Sequence, residues 1–368
     1  MDFILAHIVV AETLLVVLAL YLHLRRRANA SRSEALTFSI SLSLLVFSLL
    51  VQVFFLLGIP SHTYLLEIPL AICCLRQIKR GRDTLMTDTA SVWEERPLKR
   101  TLLLVFIPLC YLYLQTVVLL PNNQDSLVYN LARNLLYEDA GTLFPATITD
   151  YTQVCYPIGN DLLYHFFLRF GIENGTAYFS FLTYLACISA TYALVRSAHT
   201  GKTAGCAALL FACLPEMVFH ATTPKNDLAV VLFALASFLA LVRFAKARDF
   251  INLCLLALFT AGGLSAKTTF LAIAAPLAGA FLLWLWKQGH VGSTLLLLKT
   301  RPTRSFLLLF SCFLLSQAWL FAYNVWAWGT WSGPPFFVNG NVNEDGLFGA
   351  AANLCRYFAE SLHLTQPV

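Results

Sequence analysis

A chain of 368 residues that is 58% hydrophobic and 12% charged, with a mean hydropathy of +0.68, lies far outside the soluble norm of about a quarter charged residues. Its formal net charge of +5 sits in short Lys and Arg clusters between apolar runs, which is the charge bias of a polytopic membrane protein. Nucleic-acid binding is excluded on that ground.

Residues 3–24 form the first apolar run, long enough to span because about 20 helical residues cross the hydrocarbon core. Arg25, Arg26 and Arg27 follow it. A cleaved signal peptide carries its charges before the apolar run, so this is read as an uncleaved anchor with its N-terminus outside. Residues 36–57 return across the membrane, 58–62 make an outer turn with Pro60, and 63–75 go back in. Glu67 lies in this third span; a membrane carboxylate is a functional hypothesis by default, but its place near the outer end favours a solvated or helix-pairing role. Arg76, Lys79, Arg80 and Arg82, then Arg96, Lys99 and Arg100, bracket a polar cytoplasmic loop. A module border is expected near residue 100.

Residues 101–120 run outward and deliver a long polar and aromatic stretch, 121–171, to the extracytoplasmic side. Residues 176–195 run inward, 203–219 outward, and 228–242 inward to Arg243, Lys246 and Arg248. Residues 251–266 and 270–286 form a hairpin that turns at 266–269. After a basic loop with Lys299, Arg301 and Arg304, residues 305–323 make the last crossing. The expectation is an all-α polytopic membrane protein of about ten spans, integral to the plasma (inner) membrane of a bacterium. It divides into a three-helix segment and cytoplasmic loop at 1–100, a seven-span module at 101–328 and an extracytoplasmic tail at 329–368, with an amphipathic helix at 347–363.

This topology puts Asp125, Arg133, Asp150, Lys225, Asp227 and Lys267 on one side of the membrane, from three separate loops. Lys225 and Lys267 run against the charge bias there and suggest an anionic partner. In the first loop, Leu127, Val128, Leu131 and Leu135 have the spacing of a short interfacial helix over 126–137. Asp125, Tyr129 and Arg133 recur every four residues and predict one stripe, a carboxylate beside a guanidinium that forks onto phosphate. The plainer alternative makes Asp125 a helix N-cap and Arg133 a lipid-headgroup contact. No Gly-rich phosphate loop is present to seat a nucleotide, and no His and Cys cluster has metal-ligand spacing, so neither cofactor nor metal is expected. Cys155 and Cys355 are the cysteines on outer segments. They are read as unlinked, although a bridge in an oxidising compartment would tie the tail to the site loop.

Four stretches carry a resemblance: DSLVYNLARNLLYEDAGTLF after an outward span, CYPIGNDLLYHFFLRFG, LPEMVFHATTPKNDLAVVLFALA, and GLSAKTTFLAI. In order, spacing and sidedness, over roughly residues 101–340, they resemble the seven-span catalytic module of the GT-C glycosyltransferases, the superfamily of protein O-mannosyltransferases and the lipid A aminoarabinose transferase. Asn130 stands where one branch has His, Ile158 replaces a second Pro, and Ala266 precedes Lys267 where Thr is usual. The resemblance implies transfer of a sugar from a polyprenyl-phosphate donor to an acceptor hydroxyl on the extracytoplasmic face, among membrane lipids. It also implies further C-terminal helices, present in most members; here the alternatives are a truncated sequence, a partner membrane subunit that supplies them, or a compact variant that lacks them.

The chemistry needs a base for the nucleophile and cations for the leaving phosphate. Asp125 is the expected base, with Asp227 as the alternative. Lys267, with Arg133 or Lys225, is expected to hold the phosphate, and Tyr129, Asp150 and Tyr156 are expected to contact substrate. A noncatalytic subunit of a glycosyltransferase-like complex and a lipid or sugar transporter are the competing classes.

Overall fold

The computed structural model describes residues 1–94, 96–145, 150–336 and 346–361, and all regular structure among them is helical. Four long helices open the chain: α1 (Asp2–Arg27), α2 (Arg32–Leu56), α3 (Tyr64–Glu94) and α4 (Arg96–Val118). A loop region follows with α5 (Leu131–Ala140) and two single turns, α6 (Thr152–Cys155) and α7 (His165–Leu168). Next come α8 (Tyr178–Arg196), α9 (Gly201–Ala212), α10 (Pro215–Ala221), α11 (Asp227–Ala247), α12 (Phe250–Ala266) and α13 (Leu271–Lys287). The chain continues with α14 (Val291–Lys299), α15 (Pro302–Leu315), α16 (Ala318–Trp328) and α17 (Gly346–Ser361).

Each of the expected spans falls on a helix or a bent helix pair. Among the described residues, five helices are long and apolar enough to cross a bilayer, or up to seven if each bent pair is one span. Shorter apolar helices occupy Val105–Val118 and Phe250–Ala266. The all-α polytopic architecture holds.

The helix starts follow local chemistry. Ser31 and Glu34 form a reciprocal capping box at α2, Thr200 caps α9, and Asp249 caps α12 through the Asn252 amide, each satisfying donors that the first turn leaves free. Arg248 takes a left-handed conformation (φ 49°) that turns α11 into α12. On α2 the small polar residues bond back to their own helix, Ser41 to the Thr37 carbonyl at 2.9 Å and Ser43 to the Ser39 carbonyl at 2.7 Å. Neighbouring helices therefore approach closely without leaving a polar group unpaired. At Gly262 of α12 a Cβ would lie 2.6 Å from Leu45 of α2 and 2.9 Å from Phe233 of α11, so α2, α11 and α12 meet where no side chain intervenes.

Three details differ from the sequence expectations. The cytoplasmic loop expected over 76–100 is helical to Glu94 and again from Arg96, because the segment before Pro97 contains no proline and only one glycine to stop α3. Asp88 anchors that extension, accepting from Arg25 at 2.7 and 2.8 Å and from Tyr21 at 2.8 Å. The border near residue 100 is not a packing border, since α2 packs on α8, α11, α12 and α15. Finally, the spans at 203–219 and 305–323 are bent, by 66° between α9 and α10 and by 52° between α15 and α16, with Pro215 opening α10 and a left-handed Gln317 at the second break.

Ion pairs gather at both ends of the bundle. Arg25, Arg32 and Asp88 meet at one end, joined by Arg243, which pairs with Glu34 at 2.7 Å and donates to the Ala28 carbonyl. The other end carries the α5–α7 loop region, the entry to α11 and the break between α12 and α13. There Glu67 pairs with Arg169, which also reaches Glu12 and Thr63; this is the helix-pairing role expected for a carboxylate near the end of its span. The tail helix is present at Gly346–Ser361, while residues 337–345 and 362–368 of the expected tail lie outside the described residues.

Candidate active site

Three chain segments converge at that second end, and their backbones are cross-bonded. The end of α12 leaves carbonyls without helical partners. Ala266 O accepts from the side chain of Asn226 at 2.9 Å, and Ser265 O accepts from the Gly159 amide at 3.0 Å. Pro224 O accepts from Ser126 and Asn130, at 3.2 and 3.4 Å. Lys225 O accepts from Asn160 and Ser180. The residues on either side of Asn226 are thereby fixed relative to Lys267, which follows α12 in extended conformation.

Between the segments lies a cavity of about 440 Å³. Asp125, Tyr129, Tyr156, Lys225, Asp227 and Lys267 all line it. Two ion pairs face it: Lys225 with Asp125 at 2.7 Å and Lys267 with Asp227 at 2.8 Å. Lys225 is held against the protein at 12% exposure while the Asp125 side chain is 69% exposed. Asp227 opens α11, where the helix N-terminus favours its negative charge. Asp125 makes no capping bond, which removes the plainer N-cap alternative. Burial pushes the Tyr129 phenol above its ordinary value, and its hydroxyl accepts from Arg133 at 3.0 Å.

Cations and carboxylates in balanced pairs form a site that an incoming anion can enter by competing for the lysines. Residues 166–316, which contain Lys225, Asp227 and Lys267, match the family model of the dolichyl-phosphate-mannose-protein mannosyltransferases. The match supports a membrane glycosyltransferase of the GT-C type. No curated protein and no solved structure gives a significant match. The family match is narrower than the resemblance read over 101–340, and leaves out the loop region with Asp125, Tyr129 and Tyr156.

Arg133 is not where the stripe placed it. Its side chain is 0% exposed and pairs with Asp161, donating also to Pro157 O at 2.9 Å and Tyr156 O at 3.4 Å. Its guanidinium lies 4.5 Å over the Tyr129 ring. Arg133 keeps its four-residue contact with Tyr129, but its guanidinium is taken up by Asp161 and the Tyr156 and Pro157 carbonyls, not by Asp125, which pairs with Lys225. Asp150 is outside the cavity lining, near enough to Cys155 to help burial hold that thiol up at about 12. Cys155 is buried, Cys355 is exposed, and both are free thiols.

Sequence reasoning passed over Asn226, Thr268 and Thr269, which also line the cavity. Their signal was adjacency, since Asn226 stands between two residues already chosen and the threonines come directly after Lys267.

Proposed function

We propose that this glycosyltransferase moves a sugar from a polyprenyl-phosphate donor to an acceptor hydroxyl, on the extracytoplasmic face of the membrane. The observation that carries the reading is the meeting of Lys225, Lys267, Asp125 and Asp227 in one cavity. Lys225 and Lys267 are the cations for the donor phosphate. During transfer the bond from the anomeric carbon to the phosphate oxygen breaks, and the leaving phosphodiester becomes a monoester with one more negative charge. Fixed ammonium groups therefore stabilise the transition state more than the bound substrate.

Asp125 is the base. The acceptor oxygen forms the new bond to the anomeric carbon and gives its proton to the carboxylate, so the charge gained by the phosphate is balanced by neutralising Asp125. Lys225 pairs with that carboxylate. A phosphate that draws the ammonium toward itself releases Asp125 to accept, which couples donor binding to activation of the acceptor. Tyr129 and Tyr156, edge to face with centroids 6.4 Å apart, give the cavity an aromatic wall suited to a sugar face.

The test is a structure of the reconstituted protein with a polyprenyl monophosphate. The expected result is a phosphate head between Lys225 and Lys267, and a head bound elsewhere would overturn the assignment.

A further inference from the structure

The wall that carries Tyr156 and Pro157 is irregular backbone in a buried place. Pro157, Ile158 and Gly159 are buried, and no helix claims Tyr156–Gly159. Peptide groups in such a setting must find partners or incur a large desolvation cost, and here the partners are side chains from distant elements. Asn324 of α16 donates to Cys155 O at 3.0 Å, and Arg133 of α5 to Tyr156 O and Pro157 O. Gln317, at the break between α15 and α16, accepts from the Ile158 amide at 2.8 Å. Ser48 of α2 donates to Gly159 O at 2.6 Å, and Ser265 O takes the Gly159 amide. At Gly159 a Cβ would lie 2.6 Å from the Ser265 Cβ and 3.2 Å from the Gln317 side-chain nitrogen, so this closure accepts only glycine.

We infer that Gln317 and Asn324 are positioning residues of the glycosyltransferase, fixing the Tyr156–Pro157 wall of the cavity from the last bent helix pair. Both are 0% exposed; Gln317 stands at the break and Asn324 on α16, and both bond the same wall segment. Neither lies in the stretch that matches the family model. Ile158 N is only a donor, so the Gln317 carbonyl oxygen must be the atom facing it. Gln317 holds this geometry in a left-handed conformation, φ 56°, a position that favours glycine. The bend is thus set where the amide has to reach the wall.

The inference rests on the proposed reading only for its kinetic readout. In the full-length protein reconstituted in liposomes, hydrogen exchange of the segment 155–163 is measured for wild type, Gln317→Met, Asn324→Leu and Gln317→Glu. Donor KM and kcat are measured with a polyprenyl-phosphate sugar. Gln317→Met and Asn324→Leu are expected to speed exchange at Ile158 and Gly159, leave α8 and α11 protected, and lower kcat about ten- to a hundredfold, as expected for a slightly misplaced site. Gln317→Glu keeps the accepting oxygen and should restore protection, and it keeps the inference testable if Gln317→Met does not fold. Unchanged exchange over 155–163 in the folded variants would overturn the inference, as would faster exchange with unaltered kcat. Failure of the wild type to bind polyprenyl phosphate would sink the functional reading instead, and the exchange measurement would still decide the role of the two amides in holding the wall.

Discussion

Lys225 and Asp125 meet at 2.7 Å across two loops, the lysine largely buried and the carboxylate open to the cavity. The pair makes Asp125 more than a helix cap, because its side chain bonds no backbone amide of the adjoining turn. Asp125→Asn keeps the size of the side chain and a hydrogen bond to Lys225 but removes the basic oxygen. Transfer is expected to fall by about 10²- to 10⁴-fold, the range of a positioned base, with the fold and donor binding intact. Assay of single-turnover transfer beside donor binding checks this, and a folded variant with wild-type transfer eliminates the base assignment.

Lys267→Met separates a phosphate ligand from a surface ion pair. Lys267 and Asp227 are both more than a third exposed, and exposed pairs contribute only about 0–1 kcal/mol. Thermal stability in detergent should therefore barely move. Turnover should drop about a hundredfold or more, the scale of losing one donor to a developing oxyanion. Unchanged donor affinity and rate would return Lys267 to the role of a headgroup contact.

The spans were legible because a run of about 20 apolar residues has one common outcome in a bilayer. The charged residues at the entry to α11 and at the break after α12 were legible too, as breaks in those runs. What could not be read was which spans are central. Lipid tails are as apolar as leucine, so α2, deep in the bundle, and α13, mostly at its surface, have the same kind of sequence. Arg133 was misplaced because the partners that bury it, Asp161 and the Tyr156 and Pro157 carbonyls, come from a later segment that spacing within the first loop does not reveal. Gln317 carried no signal at all, because its partner is a backbone amide far away in the sequence.

Arg133→Met should act on stability and not directly on phosphate binding. Removing one partner of a buried pair leaves the other charge unpaired, at a cost of about 3–5 kcal/mol, and the Tyr156 and Pro157 carbonyls lose their donor as well. A double variant, Arg133→Met with Asp161→Leu, removes the orphaned carboxylate and should recover part of the loss. Thermal unfolding of both variants in detergent is the measurement. Wild-type stability in Arg133→Met together with lost phosphate affinity would put the arginine back in the donor site.

The last prediction concerns sidedness. Arg25, Arg32 and Arg243 meet at one end of the bundle, and the cavity with Lys225 and Asp227 lies at the other. The helix α11 runs between them, from Asp227 to Ala247, and its 21 residues span about 30 Å at 1.5 Å per residue. That is the thickness of the hydrocarbon core, so the two ends lie on opposite sides of the membrane. Clustered arginine and lysine mark the cytoplasmic side, which predicts residues 76–100 and 287–304 inside and 121–175, 220–227 and 325–368 outside. In a cysteine-free background, single cysteines at 90 and 140 occupy exposed positions on α3 and α5. A membrane-impermeant maleimide applied to intact cells should modify the cysteine at 140 and spare the one at 90. The reverse pattern would turn the cavity toward the cytoplasm and rule out an extracytoplasmic transfer.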